Sequence, residues 1–166
     1  MEVRRVRPDE FEAAGEVTAR AYHEFGPRKN MEWQDYFRQI ADVATRASFA
    51  PVLVAVEEGA ILGTLTLELD ERIPSEAGAP AERLEAGRAH IRMLGVAPEA
   101  RRRGAARALM EASIAEARAA GKTFLTLNTT PKMKAAQTMY ESMGFVRGPD
   151  QTFDDGFCLL SYSLQL

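Results

Sequence analysis

The chain has 166 residues, of which 46% are hydrophobic, and a net charge of −3 at pH 7. That length makes one domain with a core of its own, and the acidic total excludes a general nucleic-acid binder, which needs a basic surface. A single cysteine excludes an intramolecular disulfide, no Cys/His spacing fits zinc, and no apolar run approaches a membrane span.

The opening MEVRRVRPDE has no apolar stretch of the kind a secretion signal carries, so the expected location is the cytoplasm. Residues 2–7 alternate and predict a short strand. Pro8 and Asp9 then open a helix that runs to about Tyr22, because proline suits a first helical turn and acids suit its positive end. MEWQDYFRQIADVATRA (31–47) spaces Trp33, Phe37, Ile40 and Ala44 by three and four, which predicts one amphipathic helix. PVLVAVEEGAILGTLTLELDE (51–71) reads as a β-hairpin turned at Glu57, Glu58 and Gly59. RIPSEAGAPAERLEAG (72–87) is rich in Pro, Gly and Ala and predicts a loop with at most one helical turn.

HIRMLGV (90–96) is the next strand, and the alanine-rich stretch from Arg103 to Ala120 is a helix stopped by Gly121. KTFLTLN (122–128) is a strand. MKAAQTMYESM (133–143) is a helix with Ala135, Ala136, Met139, Tyr140 and Met143 on one face, stopped by Gly144. FVRG (145–148) and FCLLSYSLQL (157–166) are the last two strands, with Cys158 expected as a buried strand thiol. The order βααββ followed by βαβαββ predicts an α/β (α+β) fold: a mixed sheet of about seven strands with helices on both faces, in a single domain over 1–166.

The stretch APEARRRGAARALM (97–110) sets three arginines against the smallest residues available. A helix start offers backbone N–H groups with no internal partner and the positive end of the helix dipole, which together bind phosphate. On that reading Gly104 and Ala106 clear room for an anion, and Arg101, Arg102 and Arg103 supply charge. An ordinary strand-to-helix connection with a solvated arginine face accounts for the same composition equally well.

LGVAPEARRRGAARALMEASIAEA resembles the central motif of the GNAT family of N-acetyltransferases. The family pattern Arg/Gln-x-x-Gly-x-Gly/Ala falls on Arg101, Arg102, Arg103, Gly104, Ala105 and Ala106. Its preceding strand pattern falls on Leu94, Gly95, Val96, Ala97 and Pro98. A second motif, Ala-x-x-x-Tyr-x-x-x-Gly-Phe, falls on Ala136, Tyr140, Gly144 and Phe145. The resemblance implies acetyl-CoA as cosubstrate, no metal, and a sheet splayed between strands 4 and 5. It places the pyrophosphate on the amides of Arg103 to Ala106. It also places the pantetheine arm along Leu94, Gly95 and Val96, with Gly95 suited to the bulge that starts the splay. Many members carry Asn where this chain has Met133; Asn128 or Thr129 would then supply that contact.

The resemblance also distributes chemical roles. Tyr140 corresponds to a general acid for the leaving thiolate, and a phenol keeps its proton at neutral pH. The N–H of Leu94 or a neighbour would polarise the thioester carbonyl. His90 stands where some relatives carry a catalytic glutamate, and would act as a base titrating near 6.5, although a strand histidine that is merely hydrogen-bonded or half exposed accounts for it as readily; Glu85 and Glu82 are the next bases along. The loop from Glu68 to Arg88 is acidic, and Tyr22, His23, Trp33 and Tyr36 lie in the first two helices, which would favour a cationic amine; packing explains the same residues equally well. The acceptor is then a small-molecule or peptide amine, with no nucleic-acid or membrane partner. A homodimer through the C-terminal strands is the association the resemblance offers, and the oligomeric state stays open. Two readings compete: a non-catalytic acyl-CoA-binding module, and a nucleic-acid domain using Arg101–Arg103. The second is opposed by the acidic total and the lack of interleaved aromatics.

Overall fold

A computed structural model describes residues 1–26, 32–70 and 84–166. Its strands are β1 (Glu2–Arg5), β2 (Val52–Glu57), β3 (Ala60–Glu68), β4 (Arg88–Val96), β5 (Phe124–Thr129), β6 (Val146–Arg147), β7 (Gln151–Thr152) and β8 (Cys158–Gln165). Its helices are α1 (Phe11–Tyr22), α2 (Trp33–Ala41), α3 (Val43–Ala47), α4 (Ala105–Ala119) and α5 (Lys134–Ser142). The strands form one sheet in the order β1-β2-β3-β4-β5-β8-β6, with β7 paired to β8. Every neighbouring pair is antiparallel except β4 and β5. The sheet is therefore mixed with helices on both faces, as the element order implies, but has eight strands rather than about seven. The extra one is the two-residue β7, too short to leave a pattern in the sequence.

Period-two alternation sorts the strand residues onto two faces. Leu53, Ala55, Leu65, Leu67, Ala89, Ile91, Leu125 and Leu127 pack with Leu109, Met110 and Ala117 of α4 and Tyr140 of α5. Val52, Val54 and Val56 turn the other way, onto Ala14 of α1 and Val43 of α3. β2 is thus buried on both sides, which is why its sequence reads as an unbroken apolar run. Helix α1 packs closely on the second helical layer at Gly15, where a Cβ would collide with the carbonyl oxygen of Ala41.

Three boundaries differ from expectation for local reasons. The 31–47 helix is two helices, because Asp42 leaves helical geometry (ψ 72°) and its carboxylate accepts from Thr45 N–H at 3.0 Å, capping α3. The first helix is preceded by a 3-10 turn at Pro8–Glu10. Helix α4 starts at Ala105 rather than Arg103, because Gly104 sits at φ +86°. Cys158 lies in β8 as expected but is only half-buried. Most of the 72–87 loop falls in 71–83, outside the described residues.

Candidate active site

The parallel pair β4–β5 is hydrogen-bonded from Arg88 opposite Phe124 to Ile91 opposite Leu127. Both strands then continue, β4 to Val96 and β5 to Thr129, without pairing to each other. This is the splay that the resemblance implies. Its cause lies on the other side of β4. Thr66 faces Arg92 and Thr64 faces Gly95, so Met93 and Leu94 together oppose Leu65 alone. That is a β-bulge, which bends and twists its strand, and Met93 takes the left-handed φ of +51° within it. The bulge therefore sits at Met93–Leu94, not at Gly95. Gly95 serves close packing: a Cβ there would lie 2.8 Å from Ala21 Cβ and 3.4 Å from the Tyr22 ring. With that space free, the Tyr22 hydroxyl at the end of α1 reaches the Leu94 carbonyl and donates to it at 2.9 Å.

Beyond β4 the chain makes a 3-10 turn at Pro98–Ala100 and then the arginine run. Arg102 has φ +63° and Gly104 has φ +86°, so the backbone turns back on itself before α4 begins. The first helical bond is Ala108 N–H to the Gly104 carbonyl, which leaves the N–H groups of Ala105, Ala106 and Arg107 without helical partners. Gly104 is required by its φ; a Cβ there would enter open space, with no atom within 4 Å. Ala105 is small for a different reason, being 2% exposed and packed in the core. Of the three arginines, Arg101 is ion-paired with Glu24 and donates to the Ala21 carbonyl at 3.4 Å, Arg103 is ion-paired with Glu57, and Arg102 is exposed.

Tyr140 lies on the buried face of α5, 5% exposed, with ring centroids 6.0 Å from Phe145 and 5.8 Å from Tyr162. Its hydroxyl makes no hydrogen bond within the described residues. Burial pushes its pKa well above the usual phenol value, with the nearby Tyr162 adding to the shift. It is near enough to Tyr22 to help raise that phenol's pKa too, after burial.

His90 does not match the expected base. It is 5% exposed, and its Nδ1 lies 2.7 Å from Thr126 Oγ1 and 3.2 Å from the Arg88 guanidinium. Arg88 can only donate, so Nδ1 accepts and the ring proton sits on Nε2. Burial, then the charges of Arg88 and Arg92, lower the pKa from 6.5 to about 3. The imidazole is neutral at physiological pH, and its conjugate acid is too strong for it to take a proton from an amine near neutrality. Glu85 is exposed and precedes β4, while Arg88 alone is ~20 Å of strand from Leu94 at ~3.3 Å per residue. That distance places Glu85 away from the splay. Glu82 lies outside the described residues. Asn128 is exposed just past the last β4–β5 pair, whereas the buried Thr129 donates its hydroxyl to Met133 Sδ at 3.4 Å. Of the two, Thr129 is therefore the one in contact with Met133, and Asn128 turns to the opposite, exposed side of β5.

Of the aromatic residues of the first two helices, His23 stacks on Phe37 with centroids 5.3 Å apart, and Trp33, 49% exposed, leans against both rings. Glu68 is 3% exposed and paired with Arg92 at 2.8 Å. Among the described residues no three of His, Cys, Asp and Glu form a metal-ligand group, and no helix is long and apolar enough to cross a membrane.

Sequence reasoning missed Tyr22 as a partner of β4, and missed Glu24 and Glu57 as partners of the arginines. Gly95, small for no reason visible along its own strand, was the one signal that something packs against the bulge.

A mixed sheet split between two parallel strands, with a glycine-led helix start beyond the split strand, defines the acetyltransferase class of fold. The acetyltransferase (GNAT) family model matches residues 16–145, and the chain belongs to that family. Among solved structures, a putative GNAT acetyltransferase from Desulfovibrio desulfuricans is 20% identical over 99% of this chain and 98% of its own, with a TM-score of 0.73. A putative acetyltransferase from Salmonella typhimurium, solved with its cofactor acetyl-CoA, is 20% identical over 100% and 94%, with a TM-score of 0.72. The ribosomal-protein-alanine N-acetyltransferase from Brucella melitensis is 19% identical over 100% of both chains, with a TM-score of 0.71. No curated protein matches the chain.

Proposed function

We propose that this chain moves the acetyl group of acetyl-CoA directly onto a primary amine of a small molecule or peptide. The observation that carries the reading is Tyr140: a buried phenol, held protonated, with an uncommitted hydroxyl beside the splay.

The chain's own groups suit acetyl-CoA. The free N–H groups at the start of α4 accept a pyrophosphate, and the arginines supply charge once Glu24 and Glu57 yield them. The side of β4 beyond its last pair with β5, at Leu94 to Val96, hydrogen-bonds the amide-bearing arm as an added strand would. Leu94 N–H holds the thioester oxygen. In transfer, the amine nitrogen bonds to the carbonyl carbon, the carbon–sulfur bond breaks, and Tyr140 gives its proton to the departing sulfur. The proton shed by the nitrogen leaves through water, which also returns one to Tyr140. With His90 locked neutral, the free-amine form of the acceptor is what reacts.

The test is release of free thiol from acetyl-CoA across a panel of amines, amino acids and peptide N-termini, alongside calorimetric binding of the coenzyme. Turnover on at least one amine is the expected result. Tight coenzyme binding with no turnover on any of them would instead mark an acyl-CoA-binding module.

A further inference from the structure

We infer that Tyr22 is a positioning residue that makes the β4 bulge a donor-only site for the thioester oxygen. The inference rests on the acetyl-transfer reading above and concerns how the oxyanion site is prepared.

Where β4 and β5 part, the backbone groups on the open edge of β4 lose their strand partner. A buried carbonyl so orphaned must find another donor. Gly95 faces Thr64 of β3 in the same register that carries Ala97 N–H onto the Leu62 carbonyl. In antiparallel pairing this turns Gly95 N–H toward β3, and the Leu94 carbonyl, on the opposite side of the same peptide, toward the splay. An unmodified strand edge would therefore show an incoming group both the N–H and the C=O of Leu94. The Tyr22 hydroxyl caps that carbonyl at 2.9 Å. What remains at Leu94 is a donor. A thioester oxygen is purely an acceptor and gathers negative charge during transfer, so a bare carbonyl beside it would repel it. The capped one does not.

The surrounding packing fixes this arrangement. Gly95 has no Cβ, which lets Ala21 and the Tyr22 ring approach the strand. The Ala21 carbonyl and Glu24 engage Arg101 of the phosphate loop. The last turn of α1 and the 3-10 turn that follows it at His23–Phe25 thus hold both the bulge and the first arginine, and it is the Tyr22 hydroxyl that meets the Leu94 carbonyl.

Tyr22→Phe keeps the ring and removes the hydroxyl. The expected result is a fall in kcat of at least 10-fold at saturating substrates, within the range seen on weakening oxyanion sites, while Kd for free CoA, which has no acetyl oxygen, changes less than 2-fold. The ratio of acetyl-CoA to CoA affinity, read by calorimetry with no turnover needed, should drop in the same variant. Unchanged kcat together with an unchanged affinity ratio overturns the inference. So does a parallel loss of CoA affinity and kcat, because a merely structural support of β4 would move both. If the wild-type protein turns over no amine, the acetyl-transfer reading fails on its own, and the affinity ratio still decides the role of Tyr22.

Discussion

A phenol does acid work only if it keeps its proton until the sulfur needs it, and Tyr140 is kept protonated by burial beside Tyr162. Tyr140→Phe preserves the contacts with Phe145 and Tyr162 and deletes only the donor. Turnover under conditions where chemistry is limiting should fall by about 10²–10⁴, the scale of general acid catalysis, with acetyl-CoA affinity unchanged by calorimetry. An unaltered rate would make the tyrosine a packing residue. Tyr140 was legible in the sequence because a motif marks it. His90 lies on β4 as its place in the sequence implies, but its chemistry is set by Arg88 and by Thr126 on the neighbouring strand. No linear pattern shows that both bear on the same ring nitrogen. The rise of kcat/KM with pH should accordingly follow the pKa of whichever amine is used. His90→Gln should leave that limb where it is; a limb near neutrality that vanishes in the variant would restore the histidine as base.

At the scale of elements, the splay and the phosphate loop are consequences of where helices meet strands. Helix α4 was legible from its alanine-rich run and Gly121, but its first residue was not, because three arginines and a glycine do not reveal which of them takes positive φ. Gly104 at +86° decides it. A test of the phosphate cradle at this position must separate backbone strain from charge. Gly104→Ala carries the strain, ~1–2 kcal/mol for an L-residue in the left-handed region, and adds only a methyl to open space. Gly104→Glu adds a carboxylate to the same strain. Both variants should lose similar stability in chemical denaturation, yet the glutamate should bind acetyl-CoA at least 10-fold more weakly than the alanine. Equal affinities would remove the anion site from the α4 start. The break between α2 and α3 was hidden in the same way. Apolar spacing runs through it, and only the Asp42–Thr45 cap, a side-chain event, interrupts the helix. Helix packing supplies a sharper case at Gly15, where a methyl meets the backbone of Ala41 rather than a flexible side chain. Gly15→Ala should destabilise the fold by ~1–3 kcal/mol, the cost of overpacking, measured by urea denaturation. A neutral or stabilising outcome would mean that α1 and α2 are not in this contact.

For the whole molecule, the alternation of apolar strands and amphipathic helices was enough to give the layered sheet, and the two motifs marked the family to which the chain belongs. The His23–Trp33–Phe37 cluster and the Glu68–Arg92 pair were not legible, because each joins side chains from separate elements. The buried, uncharged imidazole of His90 leaves a global signature. Folded His90 has a pKa of about 3 against an ordinary 6.5. Between those values the unfolded chain binds a proton that the folded chain refuses, so stability falls as pH falls through that window. The slope approaches ~1.4 kcal/mol per pH unit once the unfolded histidine is fully protonated. Glu10 acts lower down. Hydrogen bonds from Arg4 and then Arg7 hold its pKa to about 2, so its contribution is present above 4.5 and lost as pH falls from there through 2. The interval from pH 6.5 to 4.5 therefore isolates the histidine. Unfolding free energy measured by urea titration should decline across that interval in the wild-type protein and decline less steeply in His90→Gln, which has no proton to take up. Parallel slopes would show that His90 is not held neutral in the folded sheet.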